Sequence, residues 1–189
     1  MAKQIEEPRA VLYPVPVVLV SSADAEGKPN IITVVCVGMA CGKPPMISIG
    51  IHPWTYSHSL IEASGEFVVN MPTAAIVEAV DYCGRVSGRD EDKFAGARLT
   101  ALSASKVKAA LIKECPVNLE CVVKHTLRLG VHDLFVGEVV ATHLDETLRD
   151  ADGKVQGEKC DPLAYLYPAG EYWTLGKALG GYGFTKPAE

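Results

Sequence analysis

No stretch of this sequence is apolar for long enough to span a bilayer as a helix. The longest run, Ile31 to Cys41, is interrupted by Thr33 and Gly38 and falls well short of the ~20 residues required. The opening segment Met1 to Pro8 has no apolar centre of the kind found in signal peptides, so the expected address is the cytoplasm. Basic runs are missing too. Lysine and arginine total 18 against 23 acidic residues, a net charge of -5, which leaves little for a nucleic-acid footprint. The six cysteines (36, 41, 83, 115, 121 and 160) contain no C-x-x-C spacing, so neither a structural zinc site nor a secreted disulfide scaffold is expected. Most should be small buried apolar residues. Catalytic signatures are equally scarce: there is no G-x-S-x-G elbow, no G-x-x-x-x-G-K-[ST] loop, no H-E-x-x-H and no dinucleotide-binding glycine fingerprint.

What remains is an ordinary globular composition. The chain has 189 residues, 48% hydrophobic and 22% charged, enough for one domain over 1–189 with its own core. Strand-like segments dominate. Val15 to Ser22 is valine-rich and ends in the turn cluster Asp24 to Asn30; Ile31 to Met39 is apolar on both faces; Met46 to Ile51 follows Pro44-Pro45. Ser57 to Ser64 is expected as a helix, with Ser59-x-x-Glu62 as a capping box and Gly65 as its stop. Glu66 to Met71 is a strand closed by Pro72, and Thr73 is expected to cap a second helix ending at Gly84. Leu102 to Glu114 fits either an amphipathic helix or an extended crossing. Asn118 to Leu129 and Leu134 to His143 are two more strands, and the aromatic, glycine-rich tail from Leu163 to Phe184 is expected to be ordered by packing. At least six strands with two short helices point to a mainly β, closed antiparallel barrel.

Three clusters could bind an anion or do chemistry. Thr55-Tyr56-Ser57-His58-Ser59 stands where a helix begins, and free backbone N–H groups suit a phosphate there. Ser87-Gly88-Arg89-Asp90-Glu91-Asp92-Lys93-Phe94 mixes hydroxyl, glycine and cations in a loop, and His132 lies between two strands. Taken alone, these read as a helix cap, a solvated turn and an exposed histidine.

Taken in order along the chain, the segments resemble the flavin reductase-like family, in particular its flavoredoxin branch. The resemblance rests on Pro29 to Val34, Pro44 to Ile49, Tyr56 to Ile61, Gly65 to Asn70, Asp81 to Gly84, Ser87-Gly88 with Asp92 to Phe94, Cys115 to Cys121, His132 to Val139, and Tyr172 to Gly176. It implies a six-stranded antiparallel Greek-key split β-barrel with a few short flanking helices, dimeric, holding FMN non-covalently beside the dimer interface. On that resemblance Asn30, Thr33, Val35 and Cys36 line the isoalloxazine, with the Thr33 hydroxyl near its N5 edge. Ser48, Ile49 and Gly50 offer backbone groups to the pyrimidine side. Ser57 and His58 form the phosphate-binding helix start, Ser87, Gly88 and Lys93 a second phosphate-side loop, and His132 stands near the exposed ring face. Thr55 replaces an arginine found in many members, which asks Lys93 or Arg89 to compensate, and Val131 replaces an acidic residue before the histidine. Cys41 precedes the Pro-Pro as in some members. The implied activity is electron transfer from NAD(P)H through FMN to free flavin, a ferric chelate or a partner protein. The alternatives are an electron carrier without direct nicotinamide use and a cofactor-free dimeric binding protein.

Overall fold

The computed structural model describes residues 2–185. A short strand β1 (Val15–Pro16) leads into β2 (Val18–Ala23), which turns back into β3 (Pro29–Val34). Gly27, with φ +86°, and Asp24, which accepts from the Lys28 N–H, make the turn. The expected single strand Ile31 to Met39 is broken: the chain bends at Val35 and Cys36 before β4 (Val37–Gly42) and β5 (Pro45–Ile51). Helix α1 (Tyr56–Ser64), β6 (Glu66–Met71), α2 (Val77–Arg85) and α3 (Lys93–Ala97) follow. A small pair, β7 (Ala101–Leu102) with β8 (Leu111–Ile112), precedes the long hairpin β9 (Val117–Arg128) and β10 (Asp133–Leu144). A last hairpin, β11 (Leu163–Leu166) and β12 (Glu171–Thr174), pairs with β1.

The principal sheet is antiparallel, in the order β3-β2-β6-β9-β10-β5-β4. It has seven strands where six were expected. Its two edge strands, β3 and β4, are consecutive in the chain, so the barrel closes on itself at the bend of Val35 and Cys36. That closure is covalent: the two edge strands are not paired with each other, and the Gly50 N–H bond to the Cys36 carbonyl at 2.7 Å continues the β4–β5 ladder past Val37 and Ile49. The interior holds Val18, Val20, Val34, Ile49, Phe67 and Phe135 among others. Gly137, beside a register shift in β10, leaves space for the Phe67 ring, because a Cβ there would stand 2.6 Å from it. β2 is buried on both faces: Leu19, with Val17 just before the strand, packs outward against Val80 and Cys83 of α2 and Phe94 of α3. This second core explains the continuous valine run.

Several local expectations change. Thr55, not Ser59, caps α1 by accepting the His58 N–H, and Ser59 bonds the Tyr56 carbonyl. The stop is Gly65, in the left-handed conformation at φ 68°. Thr73 makes no side-chain cap; α2 runs through Gly84 to Arg85. Gly84 is there for close approach, since a Cβ would stand 3.3 Å from the Thr33 Cβ. α3, capped by Asp92, lies in what the sequence offered as a charged turn. Beyond β12 the tail does not pack: Leu175, Leu179, Tyr182 and Phe184 are all exposed.

The crossing 102–114 is extended, and its backbone is satisfied by side chains from the barrel wall. The fully buried Glu120 accepts the N–H groups of Ser105, Lys106 and Val107 and the Ser105 hydroxyl at 2.6–3.0 Å, with His143 Nε2 at 2.6 Å. Asn70 accepts from the Ile112 N–H and from Asn118, and donates to the Leu19 carbonyl and to Ser21. Burial alone would raise the Glu120 pKa; the hydrogen bonds from Ser105, His143 and Lys106 outweigh it and bring the value down to about 2. Because that lies below the ordinary 4.5, the stabilisation is complete above pH 4.5 and fades as pH falls toward 2. Glu120→Gln should therefore lose about 3 kcal/mol or more at neutral pH, since buried amides lose their acceptor. Its urea-unfolding free energy should also vary less than the parent's over this acid range; equal acid sensitivity in both proteins would refute the assignment.

Candidate functional site

The seam between β3 and β4 opens into a groove of two compartments that share Ile32 and Thr55. The larger, 680 Å³, is walled by Ile32 to Val37 at the bend, by Gly50 to His52 at the end of β5, and by Val131 and His132 of the β9–β10 turn. Ala10, Leu12 and Val15 from the N-terminal segment and Tyr167 border it. Its surface is chiefly apolar. The smaller, 260 Å³, lies between the start of α1 (Trp54 to Ser57) and the end of α2 with the loop after it (Cys83 to Arg89), above Lys93. Three cations line it, Arg85, Arg89 and Lys93, and no carboxylate does.

The cations are held in different ways. Lys93 is buried and donates to the carbonyls of Ile31 and Cys83, both at 2.7 Å, leaving one of its three N–H donors. Burial pulls its ammonium below the ordinary lysine value, with Cys83 acting in the opposite sense. Arg89 donates to the Trp54 carbonyl at 3.1 Å and sits 5.3 Å from the centre of the Tyr56 ring, a cation–π distance. Arg85 is exposed, 3.8 Å from Asp81. Ser57 is buried and accepts from Asn30 Nδ2 at 2.7 Å; its own hydroxyl proton has no acceptor among the described residues. The Asn30 Oδ1 is buried without a partner, and a Cβ at Gly88 would stand 1.9 Å from it. Gly88 thus keeps the backbone close over an unsatisfied acceptor, where a ligand hydroxyl or N–H fits.

The structure brings Thr33, Val35, Cys36, Gly50, Ser57, Ser87, Gly88, Lys93 and His132 to the groove walls, with Asn30 directly behind Ser57. The Thr33 hydroxyl already donates to the Val80 carbonyl, so only its lone pairs face a ligand. Burial raises the pKa of Cys36, and a neutral thiol stands at the cleft at neutral pH. Ser48 and Ile49 are not brought there. Ile49 is fully buried inside the barrel, both residues are paired to β4 and β10, and the Ser48 hydroxyl bonds the Gly38 carbonyl at 3.3 Å. Nor does the His58 side chain reach the groove: its Nε2 donates to the Asp133 carboxylate at 2.9 Å, with both side chains buried, tying α1 to the start of β10. Cys41 is exposed and outside both compartments.

Sequence reasoning missed His52, Trp54 and Arg85. Trp54 adjoins the Thr55–Ser59 cluster and Arg85 follows the Asp81–Gly84 segment, so proximity to a motif was the available signal. His52 had none.

The sequence profile described as "Flavin reductase like domain" matches residues 10–175. A flavoredoxin of Desulfovibrio vulgaris (Miyazaki F) superimposes with a TM-score of 0.91 at 31% identity, covering 97% of this chain and 99% of that one. A flavoredoxin from Methanosarcina acetivorans gives 0.86 at 34%, covering 97% of both. An uncharacterised protein of Archaeoglobus fulgidus is 40% identical over 71% of this chain and 75% of its own length.

His58→Ala leaves the Asp133 carboxylate buried without its partner, and should cost about 3 kcal/mol or more in chemical denaturation. A stability within about 0.5 kcal/mol of the parent would mean the pair does not hold α1 to β10.

Proposed function

The chain belongs to the flavin reductase like domain family, and from that premise we propose that its groove holds FMN non-covalently and that the protein is an oxidoreductase. When bound, FMN supplies the redox chemistry, taking electrons from NADH or NADPH and passing them to free flavin, a ferric chelate or a partner protein. The observation that carries this reading is the continuity of a cation-lined compartment without carboxylates and an apolar cleft of the size usual for small-molecule sites. Fold-level support comes from an FMN-binding protein of Thermus thermophilus, with a TM-score of 0.78 at 22% identity.

Each part of the groove has a task in this reading. Ser57 donates its free hydroxyl proton to the phosphate, and Arg85, Arg89 and the remaining Lys93 N–H neutralise its charge. Arg89, oriented by the Trp54 carbonyl and the Tyr56 ring, takes the place of the arginine that Thr55 replaces. The Asn30 Oδ1 accepts from a hydroxyl of the ligand. Val35, Cys36 and Gly50 form the wall for the ring and exclude water from it, and His132 stands at the cleft as an imidazole able to offer a hydrogen bond. Six free thiols suit a reducing compartment such as the cytoplasm. Exposed Leu12, Tyr13, Leu129 and Val131, with the apolar tail, support a homodimer.

The likeness to two flavoredoxins favours a second reading, a carrier that does not use nicotinamide directly. Anaerobic mixing of the yellow protein with NADH or NADPH separates the two. Rapid bleaching is expected of a reductase, whereas an oxidised spectrum that persists with both donors leaves the carrier.

The phosphate assignment has its own test. The double variant Ser57→Ala, Arg89→Ala should bind FMN at least about a hundredfold more weakly, as each charge-assisted hydrogen bond contributes about 1.5–3 kcal/mol, while riboflavin affinity changes little. Equal losses for both ligands, or none, would move the phosphate elsewhere.

A further inference from the structure

Three of the five histidines in the chain converge on one turn, the link between β9 and β10 that carries His132. His58 holds the residue after it, through the Asp133 carboxylate. His52, one residue beyond β5, holds the residue before it: its Nδ1 lies 2.6 Å from the Val131 carbonyl. A carbonyl only accepts, so His52 Nδ1 donates to it. The His52 ring is also sandwiched, with the His132 ring at 3.8 Å and 30° on one side and Trp54 at 4.1 Å and 23° on the other.

A histidine on an exposed turn ordinarily samples several rotamers. Here the backbone on both sides is clamped and the ring, which lines the cleft, rests on a second ring. We propose that His52 is a positioning residue for His132, stacking against the imidazole and hydrogen-bonding the turn that bears it so that His132 faces the flavin cleft in a fixed pose. The flavin part of this inference rests on the FMN reading above; the positioning of His132 does not. Cys36, His52 and Tyr167 are the titratable groups that share the cleft with His132, and none is a carboxylate. Burial, and then the neighbouring His52, hold the His132 imidazole below its ordinary pKa, so the held ring is neutral at pH 7, with one N–H and one lone pair.

Three variants separate the two contacts. His52→Phe keeps a ring to stack on and loses the donor; His52→Asn keeps a donor and loses the stack; His52→Ala loses both. The first readout is the titration of His132 in FMN-free protein, followed by NMR of labelled histidine and assigned with His132→Gln. The second is the rate of anaerobic reduction of bound FMN by NADH or NADPH, with FMN affinity measured alongside. In His52→Ala the His132 midpoint should rise toward the free-imidazole value. Reduction should slow roughly tenfold or more through lost orientation, by a larger factor than any accompanying loss of FMN affinity. His52→Phe and His52→Asn should each recover part of the effect, and they decide the matter if His52→Ala does not fold. An unchanged His132 titration in the folded variants overturns the proposal whatever the electron donor. Parent protein that takes up no FMN overturns the FMN reading instead, and leaves the NMR result standing.

Discussion

The two edges of the principal sheet are joined by a bend of Val35 and Cys36, and the rest of the site depends on that constraint. A sheet that closes by a ladder has no room for a ligand between its strands. Here the edge strands β3 and β4 are consecutive in the chain but not paired with each other, so the circuit is completed by the covalent connection alone. The unpaired seam is flanked by the end of β5 on one side and by α1 and α2 on the other, and both compartments open along it. The anchoring elsewhere in the fold keeps that opening fixed. Lys93 ties β3 to α2, and His58 with Asp133 ties α1 to β10.

The fold class was legible because its signals are local. Short β-branched runs, Gly27 at a turn and Gly65 at a helix stop need no distant partner to be interpreted. The break in the run Ile31 to Met39 was not legible, since every residue through it is apolar or small and the bend is imposed by the sheet changing edges. The crossing 102–114 was ambiguous for a related reason. Its amides are satisfied by Glu120, Asn70 and Glu66, acceptors from other strands, and no property of the segment itself announces them. Gly84 read as a helix stop because a glycine needed for close approach to Thr33 looks the same in sequence.

The site divides along similar lines. Residues drawn from short motifs, such as Ser57, Ser87, Gly88 and Lys93, were found by resemblance and stand around one compartment. His58 shares the Ser57 motif, but one step along a helix turns a side chain by about 100°, which sends it into the buried pair with Asp133. Ser48 and Ile49 belong to a strand paired on both sides, which leaves no backbone group for a ligand. His52 acts through contacts with Val131 and His132, distant in sequence, and pairing across the barrel is the one thing that brings them together.

The central claim is that the seam is a flavin site with its anionic end between α1 and α2. A crystal structure of the protein with FMN tests it most directly. The account predicts phosphate density among Ser57, Gly88 and Arg89, with the tricyclic ring along Val35, Cys36 and Gly50 and His132 at its edge. A ring bound away from the seam, or a phosphate pointing out of the cation-lined compartment, would contradict it.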